Sequence, residues 1–149
     1  MEISYGHIDG IKIGQIFETR QALIDAGMHP HREAGIWGSS KNAACSIVLS
    51  GGYEDDLDEL DFVLYTGHGG QKNKVQVADQ DFSAKRGWGN KGLVISYESN
   101  LPIRVIRGYQ IDNGPTSGYR YDGLYYVEKY ERVRGKSGYF VCRFKIVRY

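Results

Sequence analysis

Residues 46–66 read SIVLSGGYEDDLDELDFVLYT, and this stretch carries the strongest structural signal in the chain. It begins with one apolar run, at residues 46–50, and ends with a second, at residues 62–65. Both runs are rich in β-branched and aromatic residues, which favour strands because their side chains pack well on a pleated sheet. Between them, six acids occupy the eight positions of the acidic segment, residues 54–61. The stretch therefore predicts two strands joined by an acidic turn.

Similar apolar runs elsewhere predict that strands dominate the fold. Turn residues separate these runs, and the chain holds 20 glycines and 12 tyrosines. This composition favours many short strands over long helices. The further predicted strands are residues 93–96, 103–106, 124–127 and 139–144.

Helical spacing appears near the beginning of the chain and in one later segment. Apolar side chains on one face predict a first helix that Gly27 ends. A second, short helix is predicted before Gly87. The fold class is therefore α+β and mainly β, with a few helices flanking the sheet. The apolar face of the first predicted helix consists of Ile16, Ala22, Leu23, Ile24 and Ala26.

Length and cysteine content indicate how the chain is organised. With 149 residues, a single domain covering residues 1–149 can bury a core without disulfides or metal ions. Because the last residues still have a strand pattern, we expect this domain to be a module of a longer protein. Cys45 and Cys142 lack any metal-binding spacing and are predicted to be small core residues in strands. We therefore expect no metal and no cofactor.

Targeting signals are not apparent in the sequence. No apolar run approaches the roughly 20 residues of a membrane-spanning helix, and the first residues lack the basic and apolar regions of a secretory signal. We therefore expect no membrane partner. The expected location is one with access to DNA, which is the cytoplasm of a prokaryote or the nucleus of a eukaryote.

The charges are unevenly distributed, although the net charge is only +1. Residues 1–60 contain 4 Lys/Arg and 10 Asp/Glu, whereas residues 101–149 contain 10 and 4. One part of the surface can therefore be basic and attract nucleic-acid phosphates. A solvated charged surface explains the same pattern, so the charges alone assign no function.

The acidic segment and its neighbouring tyrosines have several interpretations. The acids can form a turn that caps a helix, or one of them can accept a hydrogen bond from the amino group of a cytosine. A calcium loop is a third interpretation, but the segment lacks the glycine and glutamate spacing of an EF-hand. Tyr53 and Tyr65 can stack on an aromatic ligand or pack in a sheet core.

A series of motifs, in order, resembles the SRA family, also called the SET- and RING-associated or YDG domain. The motif Tyr121-Asp122-Gly123 matches the name YDG. The resemblance covers nearly the whole chain and implies a strongly curved sheet, close to an open barrel, of the PUA-like type. Other matching motifs are Ala34-Gly35-Ile36-Trp37-Gly38, Ser46-Ile47-Val48-Leu49, Tyr65-Thr66-Gly67, Asp79-Gln80, Gly89-Asn90 and Lys136-Ser137-Gly138.

The resemblance also implies a binding mode. SRA domains hold duplex DNA and flip 5-methylcytosine or 5-hydroxymethylcytosine into a pocket between two aromatic rings, whose positions match Tyr53 and Tyr65. The position of Asp56 meets the Watson–Crick edge of the flipped base. Thr66 completes the contacts, and the small residues that leave room for the 5-substituent match Ser50 and Gly52.

Two loops are expected to contact the duplex. The thumb loop, residues 28–35, is expected to fill the hole left by the base, and the finger loop, residues 71–76, is shorter than in readers of hemimethylated CpG. We therefore predict little preference for the base that follows the modified cytosine. Two histidines of the thumb loop, His29 and His31, are interpreted as structural or DNA-facing rather than metal-binding. The expected DNA-contacting residues are Arg32, Glu33, His68, Lys72, Asn73 and Lys74.

These expectations favour a reader module over an enzyme. The sequence contains no Ser/His/Asp arrangement and no zinc-deaminase signature, and an HNH-type nuclease joined to the module would lie outside these residues. The alternative is a PUA-like RNA or generic nucleic-acid binder without selectivity for modification. An enzyme that uses Asp56 as a general base is the third hypothesis. The sequence leaves the choice between 5-methyl and 5-hydroxymethyl open.

Overall fold

A computed structural model describes residues 2–51, 53–83 and 88–149 of the protein. Helices α1 and α2 cover Arg20–Asp25 and Trp88–Ser99. The strands are β1 (Ile16–Phe17), β2 (Ile36–Trp37), β3 (Ser46–Leu49), β4 (Leu57–Asp58), β5 (Phe62–Thr66), β6 (Gln71–Lys72), β7 (Val75–Gln76), β8 (Ile103–Gly108), β9 (Tyr119–Arg134) and β10 (Phe140–Arg148). The strands predicted at residues 46–50, 62–65, 103–106, 124–127 and 139–144 are therefore confirmed, and the fold is mainly β.

One large sheet organises the fold. Its strands follow the order β2-β3-β8-β9-β10-β5-β4, and β1 pairs with β9 outside this path. The β3–β8 pair is parallel, and the other pairs are antiparallel. Within the described residues, β2 and β4 form the two ends of the path and do not pair with each other, so the sheet remains open.

The positions of β3 and β5 indicate strong curvature of this sheet. Three strands separate them in the pairing order, which would place them about 19 Å apart in a flat sheet, at roughly 4.8 Å per strand. Residues at the ends of both strands nevertheless line one cavity, among them Leu49 and Thr66. The open, strongly curved sheet expected from the resemblance is therefore confirmed.

Helix α1 begins later than its apolar pattern predicted. Thr19 is the N-cap, and its side chain accepts a hydrogen bond of 3.1 Å from the amide of Ala22. Ile16 was predicted on the helix face, but it lies in β1 and pairs with Arg120 of β9. The prediction was wrong for Ile16 because an N-cap residue three positions later determines where the helix starts.

Helix α2 replaces the strand that was predicted at residues 93–96. Leu93 and Val94 pack in the main core cluster, and the hydroxyl of Ser96 donates to the carbonyls of Ala44 and Gly92 at 2.8 and 3.0 Å. A short apolar run has the same pattern in a buried helix as in a buried strand. Tertiary burial therefore overrides the β-branched composition here.

Arg104 links the beginning of the chain to the centre of the sheet. Its side chain is fully buried, and its Nη1 donates to the carbonyls of Ser4 and Gly6 at 2.9 and 3.0 Å. The guanidinium also lies over the Trp37 ring, 5.6 Å from its centroid. Carbonyl oxygens and an aromatic face thus surround this buried cation, which needs such partners to remain charged.

Three earlier expectations concern other regions. The short helix predicted before Gly87 falls on residues outside the described part. Cys45 and Cys142 are both buried and free, and Cys45 lies just before β3 rather than within it. Neither helix of the described chain is long and apolar enough to cross a membrane.

Candidate functional site

A cavity of about 130 Å³ opens where β3 and β5 end. The acidic segment and the thumb loop also contribute to its wall. Seven residues predicted for base binding or DNA contact line it together: Glu33, Ser50, Tyr53, Asp56, Tyr65, Thr66 and His68. Gly52 lies outside the described residues, so its predicted place in the pocket stays a prediction.

Glycines bring the two tyrosine rings close to their neighbours. Tyr65 is 5% exposed, and a Cβ at Gly35 would lie 2.9 Å from its hydroxyl oxygen. A Cβ at Gly51 would lie 3.3 Å from the Tyr53 ring. Both glycines therefore allow a tyrosine to approach the backbone closely. Burial is the main cause that raises the pKa of both phenols, so they stay neutral at physiological pH.

Asp56 carries a carboxylate without a cationic partner in the described part of the chain. Its Oδ1 accepts a hydrogen bond of 2.8 Å from the amide of Thr66. Burial raises the pKa of Asp56 to about 6, and the neighbouring charges of Asp55 and Asp58 raise it further, whereas hydrogen bonding to Thr66 opposes the shift. A perturbed carboxyl group in a cavity is typical of a functional site.

Thr66 has a buried hydroxyl that lacks a partner. Its amide donates to Asp56, whereas its Oγ1 lies near the same carboxyl group but forms no hydrogen bond of regular geometry among the described residues. An unsatisfied buried hydroxyl costs roughly 1–3 kcal/mol. Both Thr66 and Asp56 line the cavity, so a polar ligand there can supply the missing hydrogen bonds.

Asp58, two residues further along the acidic segment, is firmly paired. Its two carboxylate oxygens accept from Nε and Nη2 of Arg107 at 2.7 and 2.8 Å. Nη1 of Arg107 also donates to Asp122 at 2.8 Å, and Arg120 donates to the same carboxylate at 2.5 Å. Burial raises the pKa of Asp58, but the hydrogen bonds and charge of Arg107, together with hydrogen bonds from Leu60 and Asn113, outweigh burial and keep the pKa below its ordinary value. This network holds the acidic segment on β8 and β9.

The glycine turn, residues 67–70, follows Thr66 and is held by two buried amides. Nε2 of Gln80 donates to the carbonyls of Gly67 and Gly69 at 2.8 and 3.0 Å. Oδ1 of Asn90 accepts from the amide of His68 at 2.7 Å, and a Cβ at Gly67 would lie 2.5 Å from that oxygen. His68 is therefore presented from a fixed backbone at the cavity.

A hydrogen bond between the buried His29 and Ser46 of β3 anchors the thumb loop to the sheet. Neutral His29 is fully buried between the hydroxyl of Ser46 and the carbonyl of Ala34, at 2.7 and 2.8 Å. Burial lowers its pKa to about 3, which agrees with a structural role. Arg32 donates to the side chain of Gln21, whereas Glu33 is exposed and lines the cavity. No group of three or more His, Cys, Asp or Glu residues in the described ranges could hold a metal ion.

The finger loop forms a small hairpin whose first residue, Gln71, lines the cavity. Strands β6 and β7 pair through Lys72 and Val75, and the two turn residues, Asn73 and Lys74, have φ angles of 53° and 68°. Positive φ at both positions is typical of a type I′ turn. Lys72, Asn73 and Lys74 are exposed and do not line the cavity.

A family model for the SAD/SRA domain matches residues 4–149. The chain belongs to the SAD/SRA domain family. The match covers both core clusters, the cavity and the thumb and finger loops.

Curated relatives of this SRA chain are much longer proteins. It is 38% identical over 151 residues to the histone-lysine N-methyltransferase family member SUVH2 of Arabidopsis thaliana, covering 96% of the chain and 23% of that protein. It is 35% identical over 164 residues to the E3 ubiquitin-protein ligase UHRF1 of Rattus norvegicus, covering 97% and 21%. The chain thus spans between a fifth and a quarter of the length of these two relatives.

Solved structures share the fold closely. A modification-dependent TagI restriction endonuclease is 44% identical with a TM-score of 0.90, covering 97% of this chain and 52% of that one. The SUVH5 SRA domain bound to fully hydroxymethylated CG DNA is 36% identical with a TM-score of 0.82, covering 99% and 95%. A complex of the same domain with hemimethylated CG DNA is 38% identical with a TM-score of 0.81, covering 99% and 94%.

The SRA site includes supporting residues that sequence reasoning did not assign to it. Gly35 and Gly51 make space for the tyrosines, whereas Gln80 and Asn90 hold the glycine turn. All four lie in or next to matching motifs, but only their tertiary partners give them a role. Gln71 also lines the cavity, and no sequence signal distinguished it from the rest of the finger loop.

Proposed function

We propose that this SRA domain binds duplex DNA containing 5-methylcytosine or 5-hydroxymethylcytosine and flips the modified base into the cavity. The supporting observation is a cavity of about 130 Å³ that combines two tyrosine rings with the carboxyl group of Asp56 and the buried hydroxyl of Thr66. The rings can stack on the base, and the polar groups of Asp56 and Thr66 can form hydrogen bonds with its Watson–Crick edge. Extruding a base costs a few kcal/mol, which these contacts must offset.

The related complexes support the chemistry of this proposal. SUVH5 SRA structures contain fully hydroxymethylated and hemimethylated CG DNA, and the same domain also appears with methylated CHH DNA. Ser50 lies at the cavity wall, where a small side chain leaves room for a 5-substituent. A buried methyl group is worth about 0.8 kcal/mol, so we expect discrimination against cytosine of several-fold to tenfold.

The duplex contacts outside the cavity form part of the proposal. Glu33 and His68 lie at the cavity, so they are proposed to contact the flipped nucleotide or the hole it leaves. Arg32, Lys72, Asn73 and Lys74 are exposed and are proposed to contact the neighbouring backbone and bases. The hairpin of the finger loop is short, so we expect similar affinities for modified CpG, CpA and CpT duplexes.

We further propose that the domain is a reader within a longer protein and performs no chemistry on the base. The structural match to a modification-dependent restriction endonuclease covers 52% of that chain, which leaves room there for a second domain. An associated nuclease of HNH type would then supply the cleavage. Residues 1–149 are proposed to act as one DNA-binding module.

Binding measurements with three duplexes test the function. The duplexes are identical except for cytosine, 5-methylcytosine or 5-hydroxymethylcytosine at one position, and salt is fixed because phosphate contacts depend on it. We expect Asp56→Ala to remove selective binding, because the base edge is then left unpaired in a closed pocket.

Glu59→Ala provides the matched control for Asp56→Ala. Glu59 is an exposed acid of the same segment and does not line the cavity, so its removal changes the net charge equally without altering the pocket. Selectivity that survives in Glu59→Ala and disappears in Asp56→Ala supports the proposal. Equal binding of the wild-type protein to all three duplexes would reject it.

A further inference from the structure

The protonation state of Asp56 follows from the hydrogen-bonding pattern of the base that the proposed function places against it. The Watson–Crick edge of cytosine presents a donor at N4 beside an acceptor at N3. An ionised carboxylate only accepts hydrogen bonds. It therefore satisfies N4 but turns a second lone pair towards N3, and a buried acceptor without a donor is costly.

A neutral carboxylic acid matches both atoms of this edge. It offers one O–H donor and one carbonyl acceptor. The amide of Thr66 donates to Oδ1 of Asp56 at 2.8 Å, so Oδ1 has to remain an acceptor. The backbone donor therefore occupies Oδ1, and the proton of the neutral acid must lie on Oδ2.

We propose that Asp56 binds the flipped cytosine as a neutral acid, with Oδ2 donating its proton to N3 and Oδ1 accepting from N4. The proton comes from solvent, so ionised protein, one proton and duplex combine to give the complex. The inference rests on the proposed function and adds that reading the base consumes one proton. It also assigns separate roles to the two oxygens of Asp56.

The surroundings of Asp56 favour the neutral form. The first cause of its raised pKa is burial, and the acids beside it act in the same direction. No cation forms an ion pair with it in the part of the chain that the structure describes, and DNA phosphates bring further negative charge, which also favours protonation. The groups that face Asp56 or share a cavity with it are Tyr53, Asp55 and Asp58 near it in the sequence, Tyr65 of β5, Glu33, His68, Asp112, Arg134 of β9, Arg143 of β10, and Lys136 between these two strands.

Substitution by asparagine separates the neutral acid from the carboxylate. Asparagine presents an acceptor and an N–H donor in the same shape as the neutral acid, but it does not titrate. The Thr66 amide again fixes which atom is the acceptor, because two donors cannot face each other. Asp56→Asn should therefore preserve the hydrogen bonds to N3 and N4 without consuming a proton, whereas Asp56→Ala removes both.

The test measures affinity for a duplex with one 5-methylcytosine between pH 6.0 and pH 8.5 at fixed salt. For the wild-type protein we expect the Kd to rise with pH and to approach a tenfold increase per pH unit, which is the slope for one proton. For Asp56→Asn we expect a Kd within about threefold of wild type at pH 6.5 and a much flatter profile. Calorimetry at pH 7.5 in buffers of different ionisation enthalpy should detect about one proton taken up per duplex by wild type only.

Three outcomes would overturn the inference. These are the absence of proton uptake by the wild-type protein, a loss of binding in Asp56→Asn as severe as in Asp56→Ala, and a pH profile that persists in Asp56→Asn. The last would assign the proton to another group, such as His68. If the wild-type protein still prefers the modified duplex in these cases, the proposed function stands. Equal binding of modified and unmodified duplexes at every pH would reject both this inference and the proposed function.

Discussion

Asp56 and Asp58 are two residues apart in the acidic segment, but they have opposite surroundings. Asp58 is held by two hydrogen bonds from Arg107, and its pKa lies below the ordinary value. Asp56 has one backbone donor and no cation among the described residues, and burial raises its pKa to about 6. The same residue type therefore stabilises the fold at one position and destabilises it at the other.

The contrast between Asp56 and Asp58 shows how a binding site can be built into a stable segment. The paired end of the segment contributes the energy that holds the loop in place, and the unpaired end remains available to a ligand. Sites that bind or react commonly keep groups that are unfavourable in the free protein. Substitutions at the two ends should therefore change stability in opposite directions.

The largest expected effect comes from removing the cation of the paired end. Arg107→Leu leaves the carboxylates of Asp58 and Asp122 without their shared partner, and losing one side of a buried pair costs about 3–5 kcal/mol. Urea unfolding at pH 7 measures this loss. The exposed pair of Arg148 with Asp61 provides the control, because Arg148→Leu should cost less than about 1 kcal/mol. Equal losses in the two variants would show that burial of the Arg107 network does not matter.

A smaller loss of stability is expected when a substitution removes the charge of Asp58 without changing the shape of the side chain. Asp58→Asn should reduce the free energy of unfolding by about 1.5–3 kcal/mol at pH 7, since hydrogen bonds to a charged group are replaced by neutral ones. The pKa of Asp58 is depressed, so its contribution is present above the ordinary value of 3.8 and is lost as the pH falls below that value. Unfolding of both proteins at pH 7 and pH 3 measures the change. A difference that is as large at pH 3 would contradict this account.

The same substitution at the unpaired end should have the opposite sign. Asp56→Asn removes a buried carboxylate whose pKa is raised to about 6, and we expect a gain of about 1–3 kcal/mol at pH 8. For a raised pKa, the destabilisation appears as the pH rises from 3.8 to 6 and is complete above that range, so the gain should shrink as the pH falls. Unfolding of the free protein across this range measures it. A loss of stability at pH 8 would mean that Asp56 is stabilised by its surroundings.

The smallest expected effect concerns the neighbour of Asp56. Thr66→Val removes a buried hydroxyl without a partner among the described residues and should stabilise the free protein by about 1 kcal/mol. Thr19→Val is the matched control, because Thr19 caps α1 and its loss should cost about 1 kcal/mol. Thermal unfolding measures both changes, and we expect a higher Tm for Thr66→Val and a lower Tm for Thr19→Val. Destabilisation by Thr66→Val would show that its hydroxyl is satisfied.

Local sequence predicted much of the sheet. The runs that became β3, β5 and β8 were recognisable because β-branched and aromatic residues favour a pleated surface. Helix α2 was not recognisable, because Leu93 and Val94 are buried by contacts with distant strands. Likewise, Thr19 rather than the apolar pattern determines the beginning of α1.

The candidate site was predictable as a set of positions but not as a set of environments. The resemblance placed Tyr53, Asp56 and Tyr65 together, and they line one cavity. The difference between Asp56 and Asp58 depends on Arg107, which lies 49 positions after Asp58 in the sequence. No local pattern links those two positions, because their contact exists only after β4 and β8 have been brought together by folding.

The buried Arg104 has a consequence for the synthesis of the protein. Its acceptor at Ser4 lies 100 positions earlier in the chain. A ribosome adds about 5–20 residues per second, so the first residues wait about 5–20 s before their partner has been made. During that time the beginning of the chain cannot adopt its final position, and any factor that binds nascent chains can reach it. Folding of this domain must therefore finish after Arg104 has been synthesised.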